Sequence, residues 1–441
     1  MRPIYFILRI TLPYAFAVFF RQRRSVNAQK KFKAQTIFVS NHPSAFLDPP
    51  VAANFQHSII FFMTRSDVFK SWLKPITWSC HMVPIYRADK DGGDTYNKNQ
   101  NVFRGIQRVL RLKNSLMLFG EGYTDDEFIR SLKPMKKGAA RIGFNTMEGS
   151  NWQEDIKVQP LGLNYTDPSA FRSDILISYG KIMRLKDYQA VFEENPNKAI
   201  TQLTKDIGEE ICNNLTYVKD RSKAPFHEHL MMLTRKGMNH ENHAPDLSIE
   251  ERFAYSQQLA NRMNEEFTEE AEDWKELETL TENYFDQLKK NKVKEKEVYR
   301  FVKNGNKKSI WPSWLYLILS FPLFLASCLH NLLPYLIVKT FTEKMFKRKV
   351  FWSGVKLMLG GLVWLLYNLP VFWLFPALIY DSFWLSFLYF FTVPTITFLF
   401  FHHWITMVKE TISYQQKDEQ KLKKFSQERV LVLQKIEAME V

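Results

Sequence analysis

The chain has 441 residues, room for two to three domains, and carries 60 Lys and Arg against 46 Asp and Glu, a formal charge of +14. Cys80, Cys212 and Cys328 are too scattered for a disulfide framework or a CxxC zinc site, so no metal is expected and a reducing, cytosol-facing compartment fits. A basic balance suits nucleic acid, an anionic membrane or phosphate-bearing substrates, but 37 Phe and 11 Trp gather in apolar runs near the C-terminus, which favours lipid and excludes a nucleic-acid partner.

Mean hydropathy of −0.28 implies a mosaic of soluble and lipid-embedded parts. Ile4–Phe20 is apolar apart from Arg9 and lacks a small-residue cleavage site, so a cleaved signal peptide is not expected. Its length falls short of the roughly 20 residues of a full span, and an interfacial or re-entrant anchor suits it at least as well. The cations Arg21, Arg23, Arg24, Lys30, Lys31 and Lys33 would then lie against anionic headgroups. We assign 1–22 to this anchor and 23–223 to an α/β domain. Thr36–Ser40, Ser58–Met63, Ser115–Phe119, Val158–Asn164 and Ile175–Tyr179 read as buried strands, and Asn99–Leu112 has helical apolar spacing. Strands alternating with helices predict a mostly parallel sheet flanked by helices.

Residues 224–308 form a charged helical extension, with one or two long solvated helices over Leu247–Phe301 and no catalytic role. The region 309–408 contains three uncharged runs long enough to cross a bilayer: Trp311–Val338, Leu357–Tyr380 and Ser382–Val408. Asp381 alone separates the last two, suggesting a tight hairpin. If Lys307–Lys308 and Lys344–Lys349 both face the cytoplasm, an even number of crossings must lie between them. That makes Trp311–Val338 a short hairpin broken near Pro322 or Asn331, whereas a single tilted span breaks the charge rule. Residues 409–441 are a charged helical tail.

The chemistry gathers after the first buried strand, in Asn41-His42-Pro43-Ser44-Ala45-Phe46-Leu47-Asp48. A His and an Asp just beyond a strand end occupy the usual active-site position of an α/β sheet. His42 suits a general base that takes a hydroxyl proton, and Asp48 suits the partner that fixes its tautomer. Arg87 closes Met82-Val83-Pro84-Ile85-Tyr86-Arg87, and an Arg takes phosphate bidentately. Glu121 lies between glycines in Phe119-Gly120-Glu121-Gly122, where the backbone can approach a ligand. Lys136 and Lys137 precede the small-residue helix start Gly138-Ala139-Ala140, an anion-binding arrangement. Taken singly, each is equally a structural pair, a surface Arg, a turn or a solvated Lys pair; their order gives them weight.

In that order the sequence resembles the phospholipid/glycerol acyltransferase family, over about Ala34–Tyr165. The resemblance implies His42 and Asp48 as the catalytic pair, with Arg87, Glu121, Gly122 and Lys136 as substrate-binding residues and Pro160 in a fourth, strand-forming block. Five residues separate His42 from Asp48 where the family usually has four, which is similar to the fungal-type glycerol-3-phosphate branch. Gly120 stands where the family has Pro. The expected activity is membrane-bound acyl transfer to glycerol-3-phosphate or 1-acylglycerol-3-phosphate in phosphatidate synthesis. The expected partners are membrane lipid, an anionic glycerol-phosphate acceptor and an acyl donor: acyl-CoA, an acyl carrier protein thioester or an acyl phosphate. No cofactor is expected, and the catalytic domain is expected to face the cytoplasm. Three rivals are acyl transfer to an amino-acid or sugar lysolipid, a transporter built on the C-terminal helices, and a catalytically dead membrane scaffold, whose mark would be loss of the His or Asp that are both present here. The transporter would need ionisable groups within the spans, and Lys356, Asp381, His402 and His403 are its candidates.

Overall fold

The N-terminal apolar run folds into one helix, α1 (Pro3–Phe19), with Tyr5, Leu12, Phe16 and Phe19 on its buried side. The computed structural model describes residues 2–28, 35–56, 58–86, 92, 95–268, 270–305 and 309–439. They divide into an α/β unit, Met1–Ala224 with Ser248–Asn261, and a helical unit, Pro225–Leu247 with Arg262–Val441.

In the α/β unit, β1 (Gln22–Val26), β2 (Thr36–Ser40), α2 (Asp48–Asn54), β3 (Ile60–Arg65), α3 (Lys74–Ser79) and β4 (Met82–Ile85) follow α1. Next come α4 (Thr95–Arg111), β5 (Ser115–Phe119), α5 (Gly138–Glu148), β6 (Lys157–Tyr165), β7 (Asp174–Tyr179), β8 (Met183–Arg184), α6 (Gln189–Glu194) and α7 (Pro196–Asn213). The described strands make an eight-stranded sheet in the order β1-β7-β6-β2-β5-β3-β4, with β8 on β6. Pairing is parallel except between β6 and β7 and between β6 and β8. Every residue of β2 is buried, as a central strand covered on both faces requires. Ile37, Val39, Leu116 and Leu118 of the sheet pack with Ile142 and Phe144 of α5 and Leu203, Ile207 and Ile211 of α7. Each such side chain contributes about 1.5–3 kcal/mol by leaving water. Pro160 is tolerated inside β6 because β8 pairs only at Lys157 and Val158 and β7 only from Leu161, so no ladder donor is needed between them.

Arg21 is engaged within the α/β unit. Gln22–Val26 is a strand whose register sets Gln22 beside Asp174, and Arg21 Nε donates to Asp174 Oδ1 at 3.0 Å. Asp174 is fully buried and also accepts from Arg252 Nη2 at 2.6 Å, so these cations offset a carboxylate that would otherwise be too costly to desolvate. Lys30, Lys31 and Lys33 lie outside the described residues. Helix α1 is held along the unit by Ile4 N donating to Ser79 Oγ at 2.9 Å and Ile60 N donating to Tyr5 Oη at 3.1 Å.

The chain continues through α8 (Ala224–Thr234), α9 (Ile249–Glu266), α10 (Glu272–Lys290) and α11 (Glu295–Asn304). Leu247–Phe301 is thus three helices, and they are not merely solvated. Arg252 of α9 is fully buried, and Glu295 of α11 accepts from Arg429 Nε at 2.6 Å, both partners being buried. The rest of the helical unit is α12 (Trp311–Met345), α13 (Trp352–Asn368), α14 (Val371–Leu378), α15 (Phe383–Gln415) and α16 (Glu419–Ala438). Among the described residues, three stretches are long and apolar enough to cross a membrane: Trp311–Met345, Lys349–Leu378 and Phe383–Gln415.

Trp311–Val338 is not a hairpin. It lies within one 35-residue helix, Trp311–Met345, that runs through Pro322 and Pro334, with the basic run from Lys344 to Lys349 beginning in its last turn. Asn331 does not open a turn; its amide donates to the Ser327 carbonyl at 3.1 Å and to Thr397 Oγ1 of α15 at 3.0 Å. Prolines persist in such helices where side chains of neighbouring helices supply polar partners. Leu357–Tyr380, by contrast, breaks at Leu369–Pro370 into α13 and α14. Lys307 and Lys308 lie outside the described residues.

Candidate active site

The register of the central strands assembles the site. Ser40 pairs with Phe119 on β5 and with Leu161 on β6, so the loop after β2 emerges between the ends of those two strands. Asn41 continues the β6 ladder with its side chain: Leu163 N donates to Asn41 Oδ1 at 2.8 Å, and Asn41 Nδ2 donates to the Leu163 carbonyl at 3.1 Å. On the β5 side, His42 N donates to Glu121 Oε1 at 2.7 Å. The His42 ring stacks on Phe119, with centroids 4.1 Å apart and planes within 15°.

His42 Nδ1 lies 2.8 Å from Asp48 Oδ2, on a side chain that is 18% exposed facing one that is fully buried. The same Asp48 oxygen accepts from Ser44 N at 2.8 Å, and Oδ1 accepts from the Tyr165 hydroxyl at 2.9 Å. Burial, followed by the charge of Asp48 and the hydrogen bond to it, holds the Tyr165 phenol well above its ordinary pKa, so it remains a donor. With Nδ1–H directed at Asp48, His42 keeps its lone pair on Nε2. The five-residue spacing is accommodated by a short 3₁₀ turn, Ala45–Leu47, leading directly into α2 at Asp48.

Glu121 is 4% exposed and ties this loop to the next one. Its Oε2 accepts from Lys133 N at 3.3 Å and lies 3.6 Å from Lys133 Nζ. Lys133 Nζ also lies 3.2 Å from Asp125, donates to the Tyr123 carbonyl at 2.8 Å, and sits 4.0 Å from the Tyr123 ring centroid. Burial pushes Asp125 up, but the Arg221 hydrogen bond and Lys133 outweigh it, and its pKa ends below the ordinary carboxylate value.

No protein-family model matches the chain, and no curated protein matches it. Among solved structures it is similar to the crystal structure of the 1-acyl-sn-glycerophosphate (LPA) acyltransferase PlsC from Thermotoga maritima. The identity is 15% and the TM-score 0.34, over 47% of this chain and 79% of that one. A likeness of that strength assigns neither an activity nor a residue.

The structure brings His42, Asp48 and Glu121 together. Gly122 has φ of +78°, a left-handed turn position that suits glycine, and the aliphatic stem of Lys136 runs beside it: a Cβ there would lie 3.6 Å from Lys136 Cγ. Lys136 N donates to the Gly120 carbonyl at 2.8 Å, while its side chain is exposed. At Gly120 a Cβ would sit 1.9 Å from Met135 Cε. Arg87 lies outside the described residues. Sequence reading missed Tyr165, Phe119 and Lys133. It also missed Arg130, which is 5% exposed and lines a small polar cleft with His42 and Glu121. Their only sequence signal is position: Tyr165 closes β6, Phe119 closes β5, and Lys133 lies three residues before Lys136.

Proposed function

We propose that this chain is a membrane-embedded O-acyltransferase that acylates a glycerol phosphate, either glycerol-3-phosphate or its 1-acyl derivative. The observation that carries this reading is the His42–Asp48 pair at the carboxyl ends of parallel strands, with Tyr165 holding the carboxylate from behind. The acceptor supplies its own hydroxyl, so the protein needs a base rather than a nucleophile. His42 Nε2 takes the hydroxyl proton as the oxygen attacks the acyl carbonyl carbon, and Asp48 stabilises the imidazolium. The tetrahedral oxyanion collapses, the bond to sulfur (or to phosphate oxygen) breaks, and the leaving group takes the proton back from His42. Arg87 and Lys136 bind the acceptor phosphate, supported by Arg130 at the cleft. Glu121 and Gly122 shape the loop. Neither cofactor nor metal enters this scheme, because the cations carry the phosphate charge.

Three apolar stretches long enough to cross a membrane keep the enzyme where a long-chain product resides. The outward side of α1 supports contact with lipid, with Phe6, Ile7 and Ile10 each more than half exposed. The α/β unit faces the cytoplasm in this proposal, where acyl thioesters are available. The test is to incubate the purified full chain with radiolabelled acyl donors and glycerol-3-phosphate, lysophosphatidate or a lyso-aminolipid. A labelled glycerol phosphate product, lowered about 10²-fold or more in kcat by His42→Ala, is expected. Undiminished turnover in that variant would remove the mechanism, and labelling of the aminolipid alone would replace the acceptor.

A further inference from the structure

We propose that the helical unit carries a second anion site, separate from the His42 cleft, that holds the phosphate of an anionic lipid headgroup. A cavity of about 220 Å³ lies between α11 and the C-terminal end of α15. It has room for several water-sized groups of about 30 Å³ each, and so for a phosphate with bridging water.

Lys294, which caps α11, and Lys296 and Arg300 within it line one side, and Lys409, Ser413 and Tyr414 of α15 the other. Its two carboxylates are already engaged. Glu410 accepts from Lys296 Nζ at 2.9 Å, and Glu297 accepts from Ser413 Oγ at 2.7 Å and from Lys294 N at 2.8 Å. Lys296 is further held by Glu241 at 2.9 Å. Lys294, Arg300 and Lys409 have no ion pair among the described residues. Arg300 instead lies over the Tyr414 ring, 4.5 Å from its centroid. Tyr414 is 1% exposed, and its buried hydroxyl has no hydrogen-bond partner among the described residues. A buried donor without a partner is destabilising, and an anion oxygen would satisfy it.

Position selects a lipid over a soluble anion. The uncharged stretch of α15 ends at Val408 and Lys409 follows. At about 1.5 Å per residue, Lys409–Tyr414 extends some 9 Å beyond it. The headgroup layer on each face of a bilayer is about 5–8 Å deep. Unpaired cations at that depth, around a cavity between a spanning helix and its neighbour, match the chemistry of anionic headgroup recognition.

The test uses the detergent-purified full chain and native mass spectrometry with added phosphatidate, phosphatidylglycerol or phosphatidylcholine. We expect retention of the anionic lipids over phosphatidylcholine. Arg300→Ala and Lys409→Ala should each weaken it about fivefold, the worth of one cation near a membrane surface. Tyr414→Phe removes only an atom that already lacks a partner; it should leave the thermal midpoint no lower than the parent's and still lower retention severalfold. Equal retention in all these variants, or equal retention of phosphatidylcholine, overturns the site. Displacement of the lipid by inorganic phosphate at matched concentration overturns the lipid assignment.

Discussion

Tyr165 donates to Asp48 Oδ1 at 2.9 Å while His42 Nδ1 faces Asp48 Oδ2 at 2.8 Å, so one fully buried carboxylate is shared between a phenol and an imidazole. The phenol arrives from the last residue of β6 and the imidazole from the loop after β2, strands paired side by side. Their spacing therefore depends on sheet register, not on a flexible loop alone.

Removing the phenol should leave His42 in place but alter its partner. With Tyr165→Phe, Asp48 loses one of three donors, leaving Ser44 N and His42 to hold the carboxylate. A less firmly held Asp48 aims the imidazole less well, so kcat should fall, but by less than in His42→Ala. Steady-state kinetics on both variants check this; an unchanged kcat with a lowered melting point would reduce Tyr165 to packing.

Glu121 holds the His42 amide and the Lys133 amide. Glu121→Ala leaves a buried amide and a nearly buried cation short of a partner, and should cost about 1–3 kcal/mol. Glu121→Gln keeps one acceptor oxygen and should cost less. Thermal unfolding ranks the two variants, and identical midpoints would contradict the assigned role.

Gly162 lies in β6, where a Cβ would meet the backbone oxygen of Asn214 at 2.0 Å and its carbonyl carbon at 2.8 Å. Backbone cannot rotate away as a side-chain tip can. Gly162→Ala should therefore destabilise the α/β unit by about 1–3 kcal/mol and displace the strand carrying Tyr165. A stability equal to the parent's would show that the helix end beside β6 moves freely.

Acid should loosen the docking of α1. His81 is sandwiched between Tyr5 and Phe61, with centroids 4.3 and 4.4 Å away. Burial first, and then the charge of Arg2, lower its pKa from 6.5 to about 4. The unfolded state thus binds the proton more readily. The contribution is fully present above pH 6.5 and is lost as pH falls toward 4. Thermal midpoints and hydrogen exchange of α1 measured across that window should track the loss. His81→Asn tolerates the positive φ of 59° and does not titrate, so it should flatten this part of the curve.

The apolar runs and the order of short polar motifs suffice to indicate a parallel α/β sheet, a lipid-embedded C-terminus and a His–Asp centre. These features are local: burial on both faces demands continuous apolar residues, and a spanning helix demands a long uncharged stretch. Gln22–Val26 gives no such signal, because a strand containing two arginines has no apolar pattern, and its stability comes from Asp174, far along the chain. The same limit hides Arg252, which reads as a surface charge on a polar helix until that carboxylate comes into view.

Sequence by itself determined which residue types were present and near which strand ends, because hydrophobic periodicity and turn chemistry act over a few neighbours. Tertiary structure alone decided that Lys133 sits beside Glu121, that Tyr165 completes the Asp48 shell, and that Trp311–Met345 runs unbroken through two prolines. Each of these rests on partners far apart in the chain: strand register for the first two, polar contacts between packed helices for the third. Distance along a sequence carries no record of such pairings.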